Sequence, residues 1–448
     1  MSEPAAPSMS TQASQYARLP EKTMQRNRLM GIFEGGSARV IFNLTSGPFL
    51  VGFLKHLGAS DTVCGYILAI PILAAAIQFL APIVLERLEY RKRIIILGSE
   101  LHRILLCLLI VIPFLPLPDS VRLWIAGGLY LVSNLAVSFV SPAVSNLYVS
   151  FVEPQNRGKY FGSRESYLLV FATVMNLAMG KVLDLFRDAG NERGGLVAIY
   201  ATVFVLMLIN TWSYLRMKEV PLGHNPDVMK IREVFTLPLK SPLFLRFFVL
   251  SILWNIGIQV SGAFYGVYQV NELAMNYTQI NLYGMLSNIV YFSAAFVWGK
   301  LADKLGWAFT SMVSFLFIGF ACLIWFFITK GPLMVPLLLL AMVLSGLAWS
   351  GINVSLFNLQ FDFMPEEKRT VYIGFNSTVS GLLGYAASLV GSVLVGVAAG
   401  FQGSFFGLSF GIKQILFFSS GILIVFCALY VLLFMHPHTP KRKTADSR

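Results

Sequence analysis

Charged residues are scarce in this sequence. Asp, Glu, Lys and Arg together make up 12% of its 448 residues, whereas an ordinary soluble domain carries about a quarter. Hydrophobic residues account for 56% of the chain, and a soluble core cannot bury that much apolar surface. The composition therefore excludes an ordinary soluble globular protein.

Several chemical features are also missing. No glycine-rich run ends in Lys-Ser or Lys-Thr, so no nucleotide-binding loop of that type is present. No metal-ligand cluster and no nucleophile–base pair stands out in the apolar stretches, so we expect neither an enzyme nor a cofactor. The few cysteines fall in apolar stretches without the paired spacing of a metal site, and we interpret them as core residues. They are Cys64, Cys107, Cys322 and Cys427.

The basic residues need an explanation, because the net charge is +12. They lie in short loops between apolar stretches and not on one amphipathic face, so we expect no nucleic-acid partner. In all, 25 of the 34 Lys and Arg residues fall in the two tails and in alternate loops. This asymmetry predicts a protein of the cell membrane with both termini in the cytoplasm.

Apolar stretches of about 20 residues recur along the whole chain, and each is long enough to cross a hydrocarbon layer about 30 Å thick. Inside lipid each stretch must be a helix, because every backbone amide needs an internal partner. We therefore predict an all-α polytopic membrane protein with 12 transmembrane helices. The predicted spans are 29–54, 62–85, 94–115, 123–150, 160–185, 195–215, 244–271, 279–299, 307–329, 333–361, 370–400 and 405–435.

A long polar break near residue 230 divides these spans six and six, and the two halves show an internal repeat. Residues 145–166 align with 357–378 at an offset of 212, and 84–90 align with 301–307 at an offset of 217. We infer two pseudo-symmetric six-helix bundles built by duplication. The predicted units are a disordered cytoplasmic tail 1–28 without a signal peptide, an N-terminal bundle 29–215, a cytoplasmic linker 216–243, a C-terminal bundle 244–435 and a cytoplasmic tail 436–448.

One loop carries a recognisable signature. In GKLADKLGW (299–307), Gly299, Asp303, Lys304 and Gly306 resemble the loop signature of the major facilitator superfamily (MFS), and NRGKYFG (156–162) resembles its loop between spans four and five. The equivalent loop 82–93 departs from the pattern, since Glu86 replaces the Asp and both glycines are lost. The resemblance covers residues 29–435 in architecture and assigns no subfamily.

The resemblance implies the MFS fold: two bundles, a site between them at mid-membrane, and alternating access by rocking of one bundle against the other. From it we assign a cytoplasmic gate of charges that pair across the bundles. Glu86 would meet Lys368 and Arg369, and Asp303 would meet Arg157. A carboxylate near a helix amino terminus and basic residues gains about 0.3–1 kcal/mol from each contact. The alternative is that these are solvated loop charges.

Few charges lie inside the spans, and such residues are functional candidates because their burial in lipid is costly. Counting from Leu29 places Arg39 about 15 Å into span one, half way across the membrane. Glu100 and Arg103 share a helix face and suggest a local ion pair. We expect proton coupling, with four residues as equal candidates. They are Glu34, Glu100, His102 and Glu165.

The repeat also predicts a substrate site. At an offset of 216, Arg39 lies opposite Asn255 and Asn43 opposite Gln259, and each pair shares one helix face at mid-membrane. An Arg at this depth suits a carboxylate or phosphate. The structural alternative is that Arg39 is neutralised by Glu34 or Glu165 and only holds helices together. Further candidates are Asn288, Asn353 and Asn376 as donors, and Tyr265, Tyr268, Tyr291 and Trp349 as path-lining rings.

Three functions remain open from the sequence. The first is secondary active transport of a small polar solute, anionic or zwitterionic, coupled to protons and carried out by a monomer. The second is efflux of amphipathic drugs, which is disfavoured because span five lacks the Gly-Pro signature of such antiporters. The third is a non-transporting receptor with the same fold.

The twelve-span topology makes a direct prediction. Residues Asp61, Asn191 and Asn276 should lie outside the cell, and Arg91, His224 and Lys441 inside. Cysteine replacements at these six positions, labelled from one side of intact cells, should react in two opposite groups. Labelling that mixes the two groups would refute the model.

Overall fold

The computed structural model describes residues 19–85, 88, 90–153, 156–219, 236–365, 369–405 and 408–435. Within them, ten helical segments are long and apolar enough to cross a membrane, and eleven when one bent pair counts as a span. The twelfth crossing is the first part of a long helix that begins at Tyr277. The predicted twelve-span helical fold is therefore confirmed.

The N-terminal half contains nine α-helices and two short 3-10 segments. They are α1 (Glu21–Leu44), α2 (Gly47–His56), α3 (Asp61–Leu68), α4 (Ile70–Ala75), a 3-10 turn (Ala76–Phe79), α5 (Ala81–Leu85), α6 (Lys92–Leu108), a 3-10 turn (Leu109–Phe114), α7 (Asp119–Ser150), α8 (Arg157–Asp188) and α9 (Glu192–Arg216).

In the C-terminal half, the elements with both ends bounded among the described residues are α-helices, one hairpin and a π-helical end. They are α10 (Pro242–Gly262), α11 (Phe264–Asn271), α12 (Tyr277–Phe327), α13 (Met334–Asp362), α14 (Arg369–Val397), β1 (Gln402–Phe405), β2 (Leu408–Gly411), α15 (Ile412–Tyr430) and a π-helix (Val431–Met435).

The first span differs from its predicted form in two ways. Helix α1 begins at Glu21, so the predicted disordered tail 1–28 is wrong for residues 21–28, while residues 1–18 lie outside the described part of the chain. The span is also bent by 44° between α1 and α2. Gly47, at a φ of +50°, and Pro48 restart the helix after this break, because only glycine adopts positive φ readily.

Helix α12 contains two spans that meet at a break in the helical backbone. Gly306 has a φ of +86° and interrupts the helical backbone, so the chain turns there from span eight into span nine. A residue with a Cβ would be strained in this conformation. This gives the signature glycine of the 299–307 loop a backbone role.

The predicted start of the last span needs correction, although the described chain is almost entirely helical. Residues predicted to open a span at 405 form instead an antiparallel hairpin in which Gln402 pairs with Gly411. Phe410 of this hairpin packs on Phe326 with ring centroids 5.1 Å apart. The apolar character that suggested a helix serves this packing, and span twelve begins at Ile412.

We distinguish two opposite ends of the molecule, which we call the terminal face and the far face. The terminal face contains the start of α1, where the Arg28 side chain donates to the carbonyl of Phe151, 2.9 Å away. The far face is the opposite end and contains Asp61 and Glu272. Asn27 also exchanges hydrogen bonds with Lys218 at the terminal face, which ties the start of α1 to the end of α9.

An ion-pair network joins the halves at the far face. Lys413 of α15 is 7% exposed, and its ammonium contacts the carboxylates of Asp61 in one half and Glu272 in the other. Lys55 also pairs with Asp61, and Asn271 donates to it at 2.9 Å. One buried cation therefore bridges carboxylates from both halves.

Asp184 makes a second link between the halves. Its carboxylate, at the end of α8, accepts backbone N–H groups of Tyr277 and Thr278 at 2.8 Å each. It thereby caps the amino terminus of α12, where the helix dipole favours negative charge. The Tyr277 ring stacks on Phe49 at 5.6 Å and lies so close to Gly52 that an added Cβ there would meet its hydroxyl. The far face is thus closed by charge and by packing.

Removal of the Lys413 charge should open the far face. In Lys413→Gln, Asp61 and Glu272 lose the cation between them, and leaving a half-buried carboxylate unpaired costs about 1–3 kcal/mol. Cys64 lies one turn beyond Asp61 and is buried. With the other three cysteines replaced by serine, we expect a membrane-impermeant maleimide to alkylate Cys64 on intact cells about tenfold faster in the variant.

Lys330 provides the control, since it lines the same recess at the far face as Lys413. Lys330→Gln should leave the alkylation rate of Cys64 unchanged. Equal rates in wild type and Lys413→Gln would show that the network does not hold this face closed.

Candidate binding cavity between the halves

Three adjoining compartments form one cavity between the halves. We call them the aromatic compartment (about 640 Å³), the arginine compartment (about 260 Å³) and the amide compartment (about 330 Å³). Trp349 lines the first and second, Asn288 the second and third, and Gln269 the first and third. These shared wall residues show that the three compartments adjoin one another, and we refer to them together as the cavity.

The arginine compartment contains an ion pair from the N-terminal half. The Arg39 guanidinium of α1 contacts the Glu165 carboxylate of α8, and the two side chains are 39% and 44% exposed. The opposite wall comes from α12 and α13, where the Asn353 amide donates to the Tyr291 hydroxyl at 3.2 Å. The pair therefore faces the polar groups of the other half.

This geometry bears on whether Arg39 binds the solute or only holds helices together. The alternative that Glu165 neutralises Arg39 matches the contact, whereas Glu34 is directed to other residues. The pair nevertheless lines an open compartment, so it is accessible to a solute. A neutral ion pair of this kind explains how an arginine is tolerated at mid-membrane.

The amide compartment lies next to this pair. Asn43 of α1 lines it, as predicted, together with Asn176 of α8 and Asn281 of α12. The Asn281 amide donates to the carbonyl of Tyr277 at 2.8 Å, whereas the buried Oδ1 of Asn176 has no hydrogen-bond partner among the described residues. Sequence reasoning missed Asn176, although an amide in the middle of an apolar span was a signal.

The aromatic compartment contains the second predicted pair. Asn255 and Gln259 of α10 line it. The Asn255 amide nitrogen donates to the carbonyl of Ser251 at 2.8 Å, which leaves its oxygen for the cavity. Six aromatic rings contribute to the remaining wall, and they are Phe42, Tyr130, Trp254, Tyr265, Trp325 and Trp349.

Six of the seven predicted binding residues thus line one cavity, and their role in binding stays a prediction. Asn376 does not line any of the three compartments. Of the predicted rings, Tyr265, Tyr291 and Trp349 line the cavity. Tyr268 lies instead under the far face, where its hydroxyl donates to the carbonyl of Ile328 at 2.6 Å.

The four proton-coupling candidates lie in different surroundings. Glu34 is 4% exposed inside the N-terminal half, where its carboxylate contacts the Tyr148 hydroxyl and lies 3.4 Å from Arg103. Glu100 accepts from the hydroxyl of Thr211 at 2.7 Å and lies 3.8 Å from Arg103, which matches the predicted local pair.

His102 and Glu165 complete this set. The His102 Nδ1 lies 2.7 Å from the hydroxyl of Ser133, between α6 and α7 and away from the three compartments. Glu165 lines the arginine compartment. Among the four candidates, it alone lies beside the predicted substrate residues.

The predicted cytoplasmic gate falls largely outside the described residues. Positions 86 and 368 and the side chains of Arg157, Asp303 and Arg369 lie outside the part of the chain that the structure describes. The gate therefore stays a prediction.

Comparison with known proteins gives a family and a fold. The model of the Major Facilitator Superfamily matches residues 32–389. A search of curated proteins finds no match. The structure is similar to that of the POT family transporter PepTSo, with a TM-score of 0.68, 10% identity, and coverage of 94% of this chain and 99% of that one.

Two further solved structures share the fold. A bacterial homologue of the iron transporter ferroportin, in an inward-facing state, has a TM-score of 0.67 and 14% identity, with coverage of 93% of this chain and 99% of that one. The nucleoside transporter NupG has a TM-score of 0.61 and 15% identity, with coverage of 92% and 98%. Identities this low show the fold alone.

Proposed function

Since the chain belongs to the major facilitator superfamily, we propose that it is a secondary transporter that carries a small anionic or zwitterionic organic solute through the cavity between its halves. The observation that carries this proposal is the half-exposed Arg39–Glu165 pair in the arginine compartment. A guanidinium presents a planar fork of donors that fits a carboxylate or phosphate in two-point contact.

Exchange of partners at Arg39 links the solute to a proton. An arriving solute anion competes with Glu165 for the guanidinium. Once displaced, the Glu165 carboxylate has no cation beside it in a membrane interior, and in this mechanism a proton takes the place of the guanidinium. Loss of that proton restores the pair and expels the anion. The solute anion and one proton therefore cross together, and the proton gradient drives accumulation.

The position of the other candidates supports Glu165 in this role. Glu34 and Glu100 are held by contacts within the N-terminal half, and His102 lies between two helices of that half. We also propose that the chain acts as a monomer in the plasma membrane. The distribution of its loop charges supports a topology with both termini in the cytoplasm.

Substitutions at the pair should separate binding from coupling. We expect organic acids from a metabolite library to raise the melting temperature of the purified wild-type protein, and their neutral amides to do so far less. Arg39→Gln should weaken acid binding at least tenfold, about the effect of one charge-assisted contact. Arg39→Lys should lose part of the affinity for acids, because a lysine ammonium cannot make the two-point contact of a guanidinium.

Glu165→Gln should keep acid binding, because the Arg39 guanidinium remains, and should lose the coupling to protons. In liposomes this variant should exchange the bound acid but fail to accumulate it against a gradient. Arg122→Gln, at an exposed ion pair with Asp119 outside the cavity, is the matched control. If both Arg39 variants fold and bind acids as the wild type does, Arg39 is structural and the proposal fails.

A further inference from the structure

The aromatic compartment has rigid walls. Tyr265 stacks on Phe417 at 4.4 Å, and Trp325 meets the Tyr265 ring edge-on at 5.1 Å. Trp254 packs on Phe315 at 5.1 Å. Each ring is held by another ring behind it, so the surface presented to the cavity is fixed before any solute arrives.

Trp349 is placed differently from the other tryptophans of this compartment. It is 38% exposed, whereas Trp254 and Trp325 are 8% and 3% exposed. The Trp254 ring contacts it edge-on at 5.7 Å and 72°, which supports its position without covering both of its faces. Trp349 therefore offers an open aromatic surface to the cavity.

The same residue connects this surface to the ion pair. Trp349 lines both the aromatic and the arginine compartments. Asn353 follows it by one helical turn and lines the arginine compartment. A solute in contact with Trp349 can therefore place one end among the rings and the other end beside Arg39.

Polar atoms interrupt the aromatic wall. Ser388 lines this compartment and is 1% exposed, yet its hydroxyl has no hydrogen-bond partner among the residues that the structure describes. A buried hydroxyl without a partner costs free energy, so such an atom in a cavity wall indicates a bound group. The oxygen of Asn255 and the amide of Gln259 lie on the same wall.

From these observations we propose that the solute is a heteroaromatic organic anion. Its ring stacks on Trp349, the polar edge of the ring meets the Asn255, Gln259 and Ser388 groups, and its acid group binds Arg39. This proposal rests on the proposed function and adds the substrate class. A saturated chain would fill the same volume, but it would leave the Ser388 hydroxyl unpaired and would gain nothing from a flat aromatic wall.

Four matched probes test each part of the proposal. Indole-3-acetate has the ring, the polar edge and the acid. Naphthalene-1-acetate lacks the N–H edge, cyclohexylacetate lacks the aromatic ring, and indole-3-acetamide lacks the charge. The melting temperature of the purified full-length protein is followed with a thiol-reactive dye. The dye suits this chain because Cys427 is buried in the core of the C-terminal half and is exposed on unfolding.

We expect indole-3-acetate to bind about tenfold more tightly than cyclohexylacetate, since stacking of one ring is worth about that factor. The affinity for naphthalene-1-acetate should lie between the affinities for indole-3-acetate and cyclohexylacetate. Trp349→Leu should remove the preference for the ring, and Trp349→Phe should retain most of it. Trp124→Leu is the matched control, because Trp124 is 82% exposed on the outer surface of α7.

The outcomes separate the two proposals. Equal affinity for cyclohexylacetate and indole-3-acetate, or an unchanged preference in Trp349→Leu, would overturn the aromatic substrate class and leave the transport of acids intact. Equal affinity for indole-3-acetamide and indole-3-acetate would instead remove the role of Arg39. No thermal shift with any of the four probes at millimolar concentration would also overturn the aromatic class.

Discussion

A guanidinium half way across a membrane requires a partner, and the Arg39–Glu165 pair supplies it. An unpaired charge at this depth would cost more free energy than the packing of the surrounding helices contributes. Because the pair comes from α1 and α8 of one half, it holds that half together without the other. Because it also lines the cavity, the partner of Arg39 is exchangeable. Both structure and proposed function depend on this one contact.

The Lys413 network likewise pairs a buried cation with carboxylates, but it joins the two halves. Its cation binds carboxylates from both halves, so it cannot stay intact when the halves separate at the far face. The Asp184 cap on α12 and the stacked Phe49 and Tyr277 rings must break with it. One ion pair therefore responds to the solute, whereas the other contacts determine which side of the cavity is closed.

Much of this architecture follows from patterns that are local in the sequence. Apolar length predicted the spans, the repeat predicted two halves, and the offset of 216 led to Arg39, Asn43, Asn255 and Gln259. What the sequence left open or placed wrongly depended on distant contacts. The partner of Arg39 lies 126 positions away, and helix rotation decides which carboxylate meets it. The hairpin at 402–411 reads as apolar sequence, and only its packing on α12 distinguishes it from a helix.

A reversible cross-link at the far face tests the account most directly. A Cβ built at Gly396 of α14 would lie 3.7 Å from the Cβ of Thr62 in α3, which suits a disulfide between the halves. In a background without native cysteines, Thr62→Cys with Gly396→Cys should stop uptake of labelled indole-3-acetate into liposomes when oxidised and restore it on reduction. Equal uptake in both states would contradict transport through this cavity.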